Sequence, residues 1–181
     1  MNARRRTLLA VLALAAATPA SGVQQAADRE GYFRAVAEFV QLPPAEVTIL
    51  SDWRLPADEI PVVLFIARRA GVSAEALVAL RRSGRGWSEL AGRYGLDASH
   101  FHVPLPEGAA AGRLDAAYGR FRASPVSGWS SMALEDGQIV DLVNLRLVSQ
   151  TLRLAPEAVL RRAGRDSWVQ VYGRLLVGEH R

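Results

Sequence analysis

Few side chains in this 181-residue sequence have both the type and the spacing that chemistry needs. There is no cysteine and there are three histidines, which excludes thiolate nucleophiles, disulfides and sulfur-ligated metals. His100 and His102 are the only clustered pair. In an extended segment both rings would project from one side, where Asp97 or Glu107 could complete a metal site. Two ligands on a loop fall short of a metal cage when no third has ligand spacing. We therefore read one histidine as exposed and the other as hydrogen-bonded, with no metal and no cofactor. No serine sits in a G-x-S-x-G context and no spacing joins a serine to a histidine, so no catalytic residue is assigned. The adjacent carboxylates Asp58 and Glu59 are explained by the preference for negative charge at the start of a helix.

Arginine is the remaining polar signal. The stretch EALVALRRSGRGWSELAGRY, Glu75 to Tyr94, has a relative near the C-terminus, EAVLRRAGRDSWVQVYGRL, Glu157 to Leu175. In each copy a helix-compatible segment ends in a double arginine and meets a glycine, Gly84 or Gly164, suited to a left-handed C′ position. A second segment then opens at a tryptophan, Trp87 or Trp168. Such a tryptophan is expected in the core, where it locks the angle between two helices, and the double arginine is expected at a solvated helix end. The functional alternative is a recognition surface for a protein partner built on Arg81, Arg82, Arg161 and Arg162, because arginine and tryptophan are favoured interface anchors. A DNA-binding helix-turn-helix over GRGWSELAGRYGLDASHF fails on length, since a recognition helix starting at Ser99 meets Pro104 after five residues.

The N-terminus bears on where the protein works. Arg4, Arg5 and Arg6 precede an apolar run from Leu8 to Ala17 and a small-residue stretch ending at Gly22, the pattern of a cleaved secretory signal peptide over residues 1–22. The run is about half the 20 residues that a membrane-spanning helix needs, so no stable membrane insertion is expected after cleavage. The expected location is periplasmic or extracellular. The basic residues are 22, all arginine, against 18 acidic, and three of the arginines lie in the signal. Nineteen against 18 leaves a net charge of +1, which gives no electrostatic footprint for nucleic acid. About 160 mature residues are enough to bury a core without disulfides.

Periodicity predicts helices throughout. Phe33, Val36, Ala37, Phe39 and Val40 form one face of a first helix over 24–40, and Pro44 can open a short second one. Ile60 to Ala70 is a dense apolar run expected to form a central buried helix that starts no earlier than Ala57. Ser73 caps the next helix, and Trp87 to Tyr94 forms another. Periodicity is lost over 97–112, where Pro104, Pro106 and Gly108 mark a connector with an extended piece at 101–103. Arg113 to Arg122, Asp136 to Leu152, the helix opened by Pro156 and a last helix over 167–177 complete the chain. Asp141, Asn144 and Arg146 make the 136–152 helix read as amphipathic. The Trp129 loop reads as irregular and surface-lying.

A shift of 82 positions superposes Phe39 on Phe121, Ile60 on Leu142 and Glu75 on Glu157, which favours an internal duplication. The expected organisation is a signal peptide (1–22), a helical half (23–96), a connector (97–112) and a second helical half (113–181). The segment ARRAGVSAEALVALRRSGRGW, followed by FHVPLP, resembles an uncharacterised group of exported bacterial helical proteins over most of 33–177, a resemblance that implies no activity. The expectation is an all-α, non-enzymatic exported protein that binds an unidentified partner or contributes to envelope structure. The alternative is a small-molecule-binding or metal-binding protein, or a hydrolase, using residues 97–107 of the connector.

Overall fold

The structure, a computed structural model, describes residues 20–43, 46 and 51–178. Most of the signal read over 1–22, and most of the short helix expected at Pro44, lie outside them. Every regular element among the described residues is helical: α1 (Ala20–Val40), α2 (Ile60–Ala70), α3 (Ala74–Arg82), α4 (Trp87–Arg93), α5 (Ala98–Phe101), α6 (Asp115–Ala123), α7 (Asp136–Thr151), α8 (Pro156–Ala163) and α9 (Trp168–Gly178). Short 3-10 turns at Ala57–Glu59 and Gly112–Leu114 lead into α2 and α6. No described helix is long and apolar enough to cross a membrane.

Local sequence accounts for the boundaries. Pro61 falls in the first turn of α2, where its missing N–H is not needed. The Ser73 hydroxyl accepts the Ala76 N–H at 3.2 Å and starts α3. Glu135 and Gln138 form a capping box at α7, and Pro156 takes the first position of α8. The connector is not an extended strand: Asp97 and His100 form a capping box that winds residues 98–101 into α5. This helix has four residues, too short for a recognition helix. The Trp129 loop is a 3-10 segment, Val126–Ser131, in which the half-buried indole donates to the Phe121 and Ser124 carbonyls, both at 3.2 Å.

Helix α7 is the centre of the fold and packs against α1, α2, α4, α5 and α8, while α1 lies along α9. The amphipathic reading of α7 is corrected at Asn144, which is fully buried. Its amide donates to the Asp58 and Val140 carbonyls, each at 2.8 Å, and its oxygen accepts the Tyr32 hydroxyl. A buried amide that uses both its donors and its acceptor avoids the desolvation penalty of an unpaired one. Asn144 thereby ties α1 and the turn before α2 to the central helix.

Trp87 and Trp168 are both fully buried, each opening the second helix of its helix–turn–helix after a positive-φ glycine, Gly84 (+95°) or Gly164 (+54°). The α4 and α9 N-termini are then capped from across the molecule. Asp58 accepts the N–H groups of Trp168 (3.0 Å) and Val169 (3.3 Å), so it serves α9 rather than its own helix. Asp136 accepts the Ser88 N–H at 3.0 Å, and Gly86 leaves room for it: a Cβ there would lie 2.9 Å from the Asp136 carboxylate. These carboxylates satisfy helix-start donors that lack intrahelical partners. Helix α1 has 21 residues, whereas α6, which the 82-residue shift pairs with it, has nine.

The Trp168 indole donates to Asp141 at 2.9 Å, and Asp141 also accepts from Arg113 at 3.1 Å. Burial raises the pKa of Asp141 above its ordinary value, as it does that of Asp58. A carboxyl with a raised folded-state pKa contributes stability that is complete below its unfolded pKa and is lost as pH rises through the folded one. Urea melts of wild type and Asp141→Asn should therefore show a wild-type advantage that shrinks as pH rises above about 4 and then levels off. An advantage that grew with pH would contradict this assignment.

Candidate functional site

The C-terminal end of α1, the last turn of α2, α5 and the middle of α7 enclose a cleft of about 610 Å³. Helix α1 supplies Phe39 and Val40 as an apolar wall, and α2 supplies Phe65, Arg68 and Arg69. Helix α5 contributes Ser99 and His100, and α7 contributes Arg146 and Gln150. Four residues make one turn and a little more, so Arg146 and Gln150 share a face of α7, and Phe65, Arg68 and Arg69 share a face of α2.

Among the described residues, three guanidiniums line this cleft and no acidic side chain does. Arg146 is half-buried and fixed: it donates to the His102 carbonyl at 2.7 Å and lies 5.1 Å from the centre of the Phe65 ring. The Arg69 guanidinium lies 4.8 Å from the same ring centre, so two cations share one aromatic ring. Arg68 donates to the Val40 carbonyl and to Gln41 Oε1, both at 3.3 Å. Burial, and then the like charge of Arg69, lowers the pKa of Arg146. A guanidinium with an ordinary pKa above about 12 stays protonated all the same, so the repulsion persists as unbalanced positive charge. Among the described residues no carboxylate lies in ion-pair contact with any of the three.

The connector residues divide between this cleft and the core. His100 Nδ1 accepts the Asp97 backbone N–H at 3.2 Å in the capping box, which places the neutral ring's proton on Nε2. Nδ1 also lies 3.0 Å from Asp97 Oδ1. The Ser99 hydroxyl donates to the same Asp97 oxygen, whose pKa is lowered chiefly by that bond. Serine and histidine thus both bind the aspartate, and the serine–imidazole contact of a nucleophilic triad is not made.

The His102 ring packs among Trp129, Phe121 and Tyr118, with centroids 4.3, 4.7 and 5.8 Å away. Burial, and then Arg146, lowers its pKa. The two rings weighed as a metal pair therefore have different neighbours, and Glu107 is exposed on the surface. Among the described residues no three histidine, aspartate or glutamate side chains form a group able to hold a metal ion.

The four arginines considered for partner recognition also separate. Arg81 binds Glu59 through Nε (2.9 Å) and Nη2 (2.8 Å), binds Asp136 through Nη1 (3.1 Å), and lies over the Trp87 ring. It is committed to the fold. Arg82, Arg161 and Arg162 are exposed. Arg68, Arg69 and Arg146 are functional candidates that sequence reasoning passed over. Their available signals were a third double arginine, ahead of Gly71, and an arginine four residues after Leu142 on an otherwise apolar stripe.

A second cleft, of about 570 Å³ between α1 and the start of α9, is lined by Asp28, Arg29 and Asp58 among others, and both Asp58 oxygens are occupied by helix N–H groups. Among the described residues, the lining of the α1–α2–α5–α7 cleft carries three positive side chains and no acidic one. No protein-family model matches the chain, and neither the curated proteins nor the solved structures include a match to it.

Proposed function

We propose that this protein binds a small organic anion in the cleft between α1, α2, α5 and α7, without acting on it chemically. One observation carries this reading: among the described residues, three arginines and no acid line a cavity whose size falls within the range of small-molecule sites. Guanidiniums facing an empty concavity are normally balanced by carboxylates of the same protein, and here a ligand supplies the missing charge. Phe39 and Val40 offer the apolar wall against which the ligand's organic part lies. Ser99 and His100 belong to the connector, so the site develops the small-molecule alternative drawn from the sequence. The arginine-rich N-terminus and apolar run support an exported protein that meets this ligand outside the cytoplasm.

Calorimetric titration with small carboxylates and phosphates should give saturable one-site binding. Arg146→Met should weaken it about tenfold or more, since a hydrogen bond to a charged group contributes about 1.5–3 kcal/mol. Equal affinity in wild type and Arg146→Met would remove the cleft from consideration. Arg82 and Arg161 do not line the cleft, and Arg82→Gln and Arg161→Gln serve as charge-matched controls.

A further inference from the structure

The cleft's donors specify what kind of anion it takes, an inference that rests on the small-anion reading above. We infer that the ligand is a phosphomonoester, bound through its dianionic tetrahedral head group. The positive charge comes from three side chains on two helices, Arg68 and Arg69 on α2 and Arg146 on α7. His100 Nε2–H adds a donor from a third helix, α5, whose Ser99 hydroxyl already donates to Asp97. One carboxylate has two oxygens in a plane, which a single guanidinium fork satisfies. Donors arriving from three helices suit a head group with three terminal oxygens directed out of one plane.

Charge gives the same answer. A monoanion would leave two of the three guanidinium charges unbalanced, whereas a phosphomonoester carries close to two negative charges above its second pKa of about 6. The cavity is much larger than a phosphate ion, and its Phe39–Val40 wall is apolar, so the ester's organic part occupies the rest.

The test compares phenyl phosphate with benzoate, which share an aromatic body and differ in head group, by calorimetry at pH 5 and pH 7.5. Phenyl phosphate is expected to bind about tenfold tighter than benzoate at pH 7.5, the lower end of what an added charge-assisted hydrogen bond gives at a partly exposed site. That ratio should fall at pH 5. Above a second pKa of about 6 phenyl phosphate is a dianion while benzoate is a monoanion, so a fall at pH 5 is what the phosphate's own second proton predicts.

Arg69→Gln, an exposed change that leaves the core intact, should cut the ratio at least threefold even if Arg146→Met folds poorly. Inorganic phosphate alone should bind more weakly than phenyl phosphate. Phosphatidate vesicles distinguish a lipid source of the head group from a soluble one: co-sedimentation that soluble phenyl phosphate competes away assigns the lipid, and its absence assigns a soluble ester. If benzoate binds as tightly as phenyl phosphate, and Arg146→Met weakens both, the phosphate assignment is overturned and the anion site stands. If neither ligand binds at millimolar concentration, both are overturned.

Discussion

Trp168→Ala is expected to lower the unfolding free energy by about 3–5 kcal/mol, and Trp87→Ala by a similar amount, which for either is a large part of what a domain of this size possesses. Both side chains are fully buried at the angle between two helices, so truncation leaves a cavity that the surrounding helix starts cannot readily fill. The conservative changes should separate the two sites. Trp168→Phe removes an indole N–H that donates to Asp141 at 2.9 Å, whereas Trp87 Nε1 is buried with no hydrogen-bond partner, so Trp87→Phe gives up nothing comparable. Trp168→Phe should therefore be the costlier by about 1 kcal/mol or more in denaturant melts. Losses below about 1 kcal/mol for both alanine variants would mean that these residues face a partner rather than the core.

The second large effect is expected at Arg81, and its neighbour is the control. Arg81→Ala leaves Glu59, whose side chain is 13% exposed, without its bidentate partner, and frees Asp136 from one of its two contacts across the fold. Removing one member of a buried pair costs about 3–5 kcal/mol; with the Arg81 side chain 22% exposed, solvent recovers part of that, and about 2–3 kcal/mol is expected. Arg82 is exposed, and Arg82→Ala should change stability by no more than about 0.5 kcal/mol. Equal small effects at both positions would show that the Arg81–Glu59–Asp136 cluster does not hold α3 and α4 to α7. Chemical denaturation of the two variants decides between these outcomes.

Adjacent arginines with opposite expected effects show where sequence reasoning stops. Arg81 and Arg82 have the same local context, a helix C-terminus before a glycine. Only the position of Glu59, 22 residues earlier, and of Asp136, 55 residues later, makes one structural and leaves the other in solvent. Asp58 gives the same lesson. Its place before an apolar run assigns it to the start of α2, and local charge preference gives no reason to look for α9, whose first N–H groups it accepts 110 residues away.

By contrast, what depends on neighbours within a turn or two was written in the chain. The 3.6-residue apolar period, Pro61 and Pro156 in first turns, the Ser73 cap and the glycines closing α2, α3 and α8 determine the helices and the all-α class, because helix boundaries depend on backbone groups a few residues apart. Those same local rules placed Trp87 and Trp168 at the opening of helices. The helix inside the connector was missed because four residues held by one Asp97–His100 box have too little periodicity to register, while His102, just past it, has the extended backbone expected there (φ −54°, ψ 132°).

The cleft belongs to the other class. Arg68 and Arg69 end one helix, Arg146 interrupts the stripe of another, and Phe39 and His100 lie on two more, with up to 107 residues between them in the sequence. Nothing local sets these groups to face each other. Packing of α7 against α1, α2 and α5 brings them to one cavity, in which no described acidic side chain joins the three arginines.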